Sequence, residues 1–230
     1  MPFCVALETE AGILKYEIKI CLPIYKICYS ICFVVLFSLV RGISYINEIG
    51  ISLDVAMAVL AMVFCSDTLQ MEYSGKRWEV FCLYPIDSRK KVLYKRILIQ
   101  CIYLWLLSIL GYICFFGQRP RNLGRVPGIY LFLVFLLAVF ISIFFFGMLS
   151  FTFANICKNS LAGIAVALLV WQFANSKIGE GLLGNYNIFA FVFCDIQDTT
   201  DMGWLLGKGI AILLVMLMAV ILPFIIRKRG

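Results

Sequence analysis

Histidine is absent from this 230-residue chain, and only 14% of the residues are charged. Without imidazole, the chain has no histidine general base, no histidine-ligated zinc or haem, and no Ser-His or Cys-His nucleophile pair. The scarcity of charge excludes an ordinary soluble domain, in which about a quarter of the residues are charged. The composition is instead 63% hydrophobic, which is typical of a protein that crosses a membrane several times.

Length limits what else the chain contains. A helical span takes about 20 apolar residues, so at most about seven spans fit, and no large soluble domain fits beside them. The ten cysteines form no Cys-x-x-Cys pair and lie mostly in apolar runs, which favours packing roles over disulfides or iron–sulfur clusters. Basic residues that flank spans account for the net charge of +7, so no nucleic-acid partner is expected.

The apolar runs predict an all-α membrane protein with six transmembrane helices in a single domain, residues 1–230. An N-terminal segment, 1–22, has apolar positions spaced three and four apart, which predicts an amphipathic helix in the membrane interface. Lys26, at the start of the first span, is expected to snorkel to the surface. The predicted spans are 24–40, 51–69, 97–116, 128–153, 161–176 and 204–226. Asn159 or Ser160 is expected to cap the fifth span.

Orientation follows from the basic residues. With both termini in the cytoplasm, fourteen of the twenty lysines and arginines lie on the cytoplasmic side, as the positive-inside rule requires. The predicted inner, cytoplasmic end of the bundle is the end that carries segment 70–96. The predicted outer end is the one with 41–50, 117–127 and the extracellular segment 177–203.

The longest polar stretch is the cytoplasmic loop 70–96. Gly75 permits a bend, a short amphipathic helix is predicted from Lys76 to Leu83, and Pro85 ends it. Trp78 and Phe81 are three residues apart and share one face of this helix. Aromatic anchors with a charged rim are typical of protein interfaces, but a helix lying on lipid headgroups has the same composition. Periodicity alone leaves both readings open.

A run of residue types in this loop carries a family resemblance. It contains an acidic residue, a glycine–lysine turn, an aromatic residue followed by an acid, a proline–hydrophobic pair, a serine–arginine–lysine run and a last lysine: Glu72, Gly75, Lys76, Trp78, Glu79, Pro85, Ile86, Ser88, Arg89, Lys90, Val92 and Lys95. The run resembles the first cytoplasmic loop of ABC-2-type permeases, which are the membrane subunits of type V ABC exporters. The interfacial helix, six spans and short second cytoplasmic hairpin extend the similarity along the chain.

The resemblance implies a mechanism. In that family the short helix is a coupling helix in a groove of a separate ATP-binding subunit, and closure of two such subunits rocks two permeases. Arg89 and Lys95 would anchor the third span at the headgroups. The coupling residues would be Glu72, Gly75, Lys76, Arg77, Trp78, Glu79, Phe81 and Pro85.

The same resemblance implies the partners. They are an ABC ATP-binding subunit that holds ATP and Mg²⁺, a second permease copy or paralogue in a dimer, and the lipid bilayer of a bacterial plasma membrane. This chain would be a transport subunit rather than an enzyme, without a cofactor or metal of its own. The run from Gly203 to Lys208 is similar to a phosphate-binding loop, but it is one residue short and lacks the following Ser or Thr.

The cargo is harder to read. No ionisable residue is expected at the centre of a span, which disfavours ion-driven transport. Asp54 and Asp67 lie near opposite ends of one predicted helix, which is too far apart for paired catalysis. Small permeases of the resembling class often carry antimicrobial peptides, so a hydrophobic or amphipathic peptide is the expected substrate. A possible translocation path comprises Phe132, Phe135, Gln172 and Asn175, although phenylalanines in spans more often face lipid or core.

Alternative functions stay open. A self-immunity permease that extracts membrane-active peptides from the producing cell would use the same machinery. A non-transport membrane enzyme or accessory protein would act without an ATPase. In the outer segment, Asp195, Asp198 and Asp201 either attract cationic peptides or form a solvated loop.

Overall fold

The computed structural model describes residues 16–69, 83, 85–121, 127–193 and 202–229. Every regular element in this part of the chain is helical. The helices are α1 (Ile24–Val40), α2 (Ile46–Ser66), α3 (Ile86–Phe116), α4 (Gly128–Cys157), α5 (Ser160–Ala174), α6 (Lys177–Leu183), a 3-10 turn (Gly184–Tyr186), α7 (Ala190–Phe193) and α8 (Trp204–Arg229). Residues 16–21 form a further helical segment before α1.

Several predictions fall outside the described residues. The three outer aspartates lie there, as do most of the predicted coupling residues: Glu72, Gly75, Lys76, Arg77, Trp78, Glu79 and Phe81. Of the predicted coupling residues, Pro85 is described, and it directly precedes α3.

Four helices, α2, α3, α4 and α8, are long and apolar enough to cross a membrane. A fifth candidate span exists if α5 and the segment 177–186, which are bent by 72° relative to each other, count as one. The apolar α1 has 17 residues, the lower limit for a crossing. The prediction of an all-helical protein with several membrane-spanning helices is therefore confirmed, and the count of six stays a prediction.

Local capping explains where the second span differs from its predicted bounds. Helix α2 begins at Ile46 rather than at residue 51. The Glu48 carboxylate accepts hydrogen bonds from the backbone N–H groups of Ser44, at 2.9 Å, and Tyr45, at 3.3 Å. Because these bonds satisfy donors ahead of the first turn, the helix extends into what the sequence predicts to be a connection.

The turn between α4 and α5 is tight. Lys158 ends α4 in the left-handed conformation with φ 56°, and the Asn159 side chain accepts a hydrogen bond from the N–H of Leu161 at 2.9 Å. The predicted cap is thus confirmed at Asn159. The two helices then pack closely, since a Cβ at Gly163 would lie only 2.5 Å from the carbonyl oxygen of Ser150.

Helix α2 occupies the centre of the bundle, and most of its residues are buried. Side chains of neighbouring helices donate to its backbone carbonyls. Ser150 of α4 donates to the carbonyl of Met62 at 2.9 Å, and the Trp171 indole of α5 donates to that of Val55 at 3.2 Å. Such polar contacts join helices where lipid offers no hydrophobic driving force.

The close approach at Gly163 makes a prediction about stability. Gly163→Ala should destabilise the protein by about 1–3 kcal/mol, because the added methyl group overlaps the backbone of α4. The measurement is thermal unfolding of the purified chain in detergent. Gly209→Ala in α8 is the matched control, since a Cβ there meets nothing within 4 Å. Equal unfolding midpoints for the two variants would contradict the packing described.

Candidate functional site

A salt bridge lies inside the bundle, away from solvent. The Lys208 ammonium of α8 donates to Asp54 Oδ2 of α2 at 2.8 Å and to Ser142 Oγ of α4 at 2.6 Å. Asp54 is 0% exposed and Lys208 is 1% exposed. The ring centroid of Phe189 is 5.9 Å from the Lys208 nitrogen. These four residues are called the buried charge cluster below.

Asp54 and Lys208 pair with each other because both are buried away from solvent. Asp54 sits roughly 12 Å along α2 from its first residue, at 1.5 Å per residue. An unpaired charge in such a place costs several kcal/mol, so each group must meet an opposite charge and further hydrogen-bond partners. One salt bridge and the Ser142 hydroxyl supply them, and they fix the register of α2, α4 and α8 together.

A short segment at the predicted outer end, 184–190, covers the cluster. Asn187 is fully buried; it donates to the carbonyl of Ala174 at 2.7 Å and accepts from the N–H of Phe189 at 3.0 Å. A Cβ at Gly207 would lie 1.8 Å from the Asn187 carbonyl oxygen, so only glycine permits this approach of the segment to α8. Together these contacts hold the Phe189 ring beside Lys208.

The cluster corrects a sequence-based expectation. Asp54 lies near the middle of α2 and is paired with Lys208, so the expected lack of an ionisable residue at the centre of a span, which was the reason for disfavouring ion-driven transport, is wrong. The partners are 154 positions apart, and no local spacing connects them. The one available signal was that Asp54 and Lys208 both interrupt apolar runs.

The cluster also keeps a spare acceptor. Asp54 Oδ1 is buried and has no hydrogen-bond partner among the described residues. An ionised carboxylate accepts through both oxygens, and a protonated one donates through one of them. Asp54 therefore has the chemistry to take up a proton or a further donor without breaking its bond to Lys208.

A second salt bridge lies at the predicted inner end. Lys26 is 1% exposed and donates to Asp67 Oδ1 at 2.6 Å and to the Phe64 carbonyl at 3.0 Å. The predicted snorkelling of Lys26 is therefore wrong. The reason is that α1 packs against α3 and places its Tyr29 ring 5.4 Å from that of Phe64 near the end of α2, where the ammonium meets a carboxylate and a carbonyl within the protein.

Further polar contacts join the N-terminal helical segment, residues 16–21, to α3 at the predicted inner end. Arg96 Nε of α3 donates to Glu17 Oε2 at 2.7 Å. Gln100 of α3 accepts from the Thr68 hydroxyl at 2.9 Å and donates to the Cys21 carbonyl at 3.4 Å. Burial raises the pKa of the Cys21 thiol to about 12, although Arg96 opposes the shift, so this cysteine is a packing residue. These contacts, with the Lys26–Asp67 pair, are called the inner network below.

The predicted anchors of the third span fall in the first turns of α3. Arg89 and Lys95 are both half-buried there. Pro85 precedes α3 with φ −54°, a value that its ring imposes. Their predicted contacts with headgroups and with an ATPase stay predictions.

The structure brings together two of the four residues of the predicted translocation path, Phe132 and Phe135. Phe132 and Phe135 both pack on Tyr112, with ring centroids at 4.9 and 5.1 Å. Gln172 is exposed, and Asn175 is half-buried where α5 ends. The two phenylalanines thus form an aromatic cluster, and a role for the four residues in translocation stays a prediction.

Comparison with known proteins gives no assignment: no family model, no curated protein and no solved structure matches the chain. The likeness to ABC-2-type permeases therefore depends on the residue pattern of the chain itself. The geometry of the two charged regions is the remaining guide to function.

The buried charge cluster makes a prediction about charge compensation. Asp54→Asn and Lys208→Met should each destabilise the protein by about 3–5 kcal/mol, because each leaves one buried charge unpaired. The double variant removes both charges and should recover most of that loss. Unfolding of the unaltered protein, the two single variants and the double variant in detergent gives the coupling free energy between Asp54 and Lys208. Additive losses would show that the two groups do not interact.

Proposed function

We propose that the chain is the membrane-spanning subunit of an ATP-driven exporter, moved by a separate ATP-binding subunit. It has six spans, with both termini in the cytoplasm of a bacterial cell. The coupling element is the segment between α2 and α3, and the cargo is a hydrophobic or amphipathic peptide. A self-immunity role that extracts such peptides from the membrane uses the same machinery.

The observation that carries the proposal is the inner network. It joins the C-terminal end of α2, where this segment begins, to α3, the helix that follows the segment. Asp67 and Thr68 lie at the end of α2, and Arg96 and Gln100 lie in α3. All four bond into one region that includes the N-terminal helical segment. A force applied between α2 and α3 is therefore distributed over both helices and that segment.

The buried charge cluster extends this path towards the predicted outer end. Asp54 lies on the same helix as Phe64, whose carbonyl binds Lys26. A displacement of α2 at its inner end therefore changes the geometry at Asp54, which is bonded to Lys208 in α8. Packed helices with two discrete arrangements are the usual means by which such couplings operate.

One observation favours a second candidate function, transport driven by an ion gradient. Ionisable residues buried within spans mark proton or ion pathways in many transporters, and Asp54 has a spare oxygen. The candidates differ in their energy source. The test is peptide uptake into proteoliposomes that contain no ATPase. Uptake that stops when the proton gradient is collapsed would favour ion-driven transport.

The coupling segment gives the first functional prediction. Trp78→Asp should abolish association with the ATP-binding subunit while leaving membrane insertion intact, because a charge replaces the expected aromatic anchor. Co-purification from detergent measures association. Tyr186→Asp at the predicted outer end is the control, since it places the same charge on an exposed aromatic residue. Unchanged co-purification of the Trp78 variant would show that the coupling helix is misassigned.

The inner network gives the second functional prediction. Glu17→Gln or Arg96→Gln should leave ATPase association intact but lower the transport per ATP hydrolysed about 5-fold or more, because the force then reaches fewer elements. The exchange Glu17→Arg with Arg96→Glu tests the pair itself and should recover part of the coupling. If both single variants transport normally, the inner network does not transmit the motion.

A further inference from the structure

A polar pocket of about 390 Å³ opens at the predicted outer end of the bundle, between the end of α1, the start of α2 and α7. Its size falls within the range of small-ligand sites. Its polar groups come from Arg41, Glu48 and Ser52, and its apolar walls come from Ile43, Ile51 and Val192.

Ser52 is the strongest sign that the pocket has an occupant. The residue is 1% exposed, and its hydroxyl has no hydrogen-bond partner among the described residues. A hydroxyl carries one donor and two acceptor positions, and leaving them unsatisfied in a buried place costs about 1–3 kcal/mol. A ligand atom with polar character at this wall of the pocket would remove that cost.

The two charged residues define the chemistry of the ligand. Arg41 is exposed, with its guanidinium 6.0 Å from the Phe37 ring, and its fork of N–H groups suits a phosphate. Glu48 uses Oε2 for the N–H groups that cap α2, and its negative charge suits an ammonium group. Opposite charges in one pocket therefore fit a zwitterion better than a simple anion or cation.

The surface next to the pocket supplies the apolar part. Leu36, Leu39 and Val40 are spaced three and four residues apart, so they share one face of α1. They are 54%, 74% and 85% exposed, and they directly precede Arg41. A continuous apolar face of an apolar helix thus leads up to the polar pocket.

We infer that this pocket binds the headgroup of a phospholipid that carries both a phosphate and a primary ammonium, as phosphatidylethanolamine does. The phosphate lies at Arg41, the ammonium donates to Glu48 and Ser52, and the acyl chains follow Leu36, Leu39 and Val40. The inference needs no ATPase partner, so it stands or fails independently of the proposed export function.

Native mass spectrometry of the full chain, released from bilayers of mixed composition, tests the inference. The protein should retain phosphatidylethanolamine about tenfold more than phosphatidylglycerol, which has no ammonium, or phosphatidylcholine, whose ammonium has no N–H donor. Glu48→Gln should remove the preference for phosphatidylethanolamine over phosphatidylglycerol. Arg41→Gln should lower retention of all three lipids.

Ser52→Ala separates binding from folding. It should lower retention of phosphatidylethanolamine about threefold to tenfold, while the unfolding midpoint of the lipid-free protein stays unchanged or rises, because an unsatisfied hydroxyl is gone. Ser108→Ala is the matched control, since the Ser108 hydroxyl bonds to the Trp105 carbonyl within its own helix.

Three results would each overturn the assignment. The first is equal retention of the three lipids by the unaltered protein. The second is identical lipid retention by the Ser52 and Ser108 variants. The third is binding of soluble glycerophosphoethanolamine without retention of any phospholipid, which would show that the pocket takes a free zwitterion.

Discussion

Both aspartates associated with the central helix α2 are held by a lysine from another part of the bundle. Asp54 is bonded to Lys208 of α8, and Asp67, just past the C-terminal end of α2, is bonded to Lys26 of α1. Lys26, Asp54 and Lys208 are buried, and an isolated charge in an apolar interior is costly; Asp67 is 30% exposed. The need to pair the three buried charges therefore constrains how α1, α2 and α8 are placed.

Buried salt bridges are poor sources of stability, because well-packed apolar residues of similar volume often do as well or better. Their presence near the middle of α2 and just past its C-terminal end suits a role in motion rather than in stability. The inner network ties α2 to α3 and to the N-terminal helical segment. The buried charge cluster ties the same helix to α4 and α8 beneath the outer segment. Helix α2 thus takes part in both charged regions, through Asp54 and through the Phe64 carbonyl, and the proposed motor acts on the segment that follows it.

Much of the helical framework could be predicted from local sequence. The bounds of the first span, 24–40, agree with α1, and the cap at Asn159 was among the expected ones. The start of α2 was missed because Glu48 caps it with a carboxylate that sequence reading assigned to a connection. The fifth span was predicted as one helix to residue 176, but α5 ends at Ala174 and Ser176 caps the bent α6.

The buried charge cluster and the inner network could not be predicted from local sequence, for a different reason. Lys208 and Asp54 are connected only through the tertiary fold, and a lysine near the end of a span normally has access to headgroups. Lys26 was misjudged by the same rule. Two charges that interrupt apolar runs and have no local partner are a usable signal, since each must find an opposite charge somewhere in the bundle.

The most direct test of the account places a photo-crosslinking amino acid at position 78 of the full chain in its native membrane and identifies what it captures. The account predicts a nucleotide-binding ATPase as the main product, and no such product from position 186, at the predicted outer end. Capture of lipid alone from position 78, in a protein that still performs its function, would contradict it.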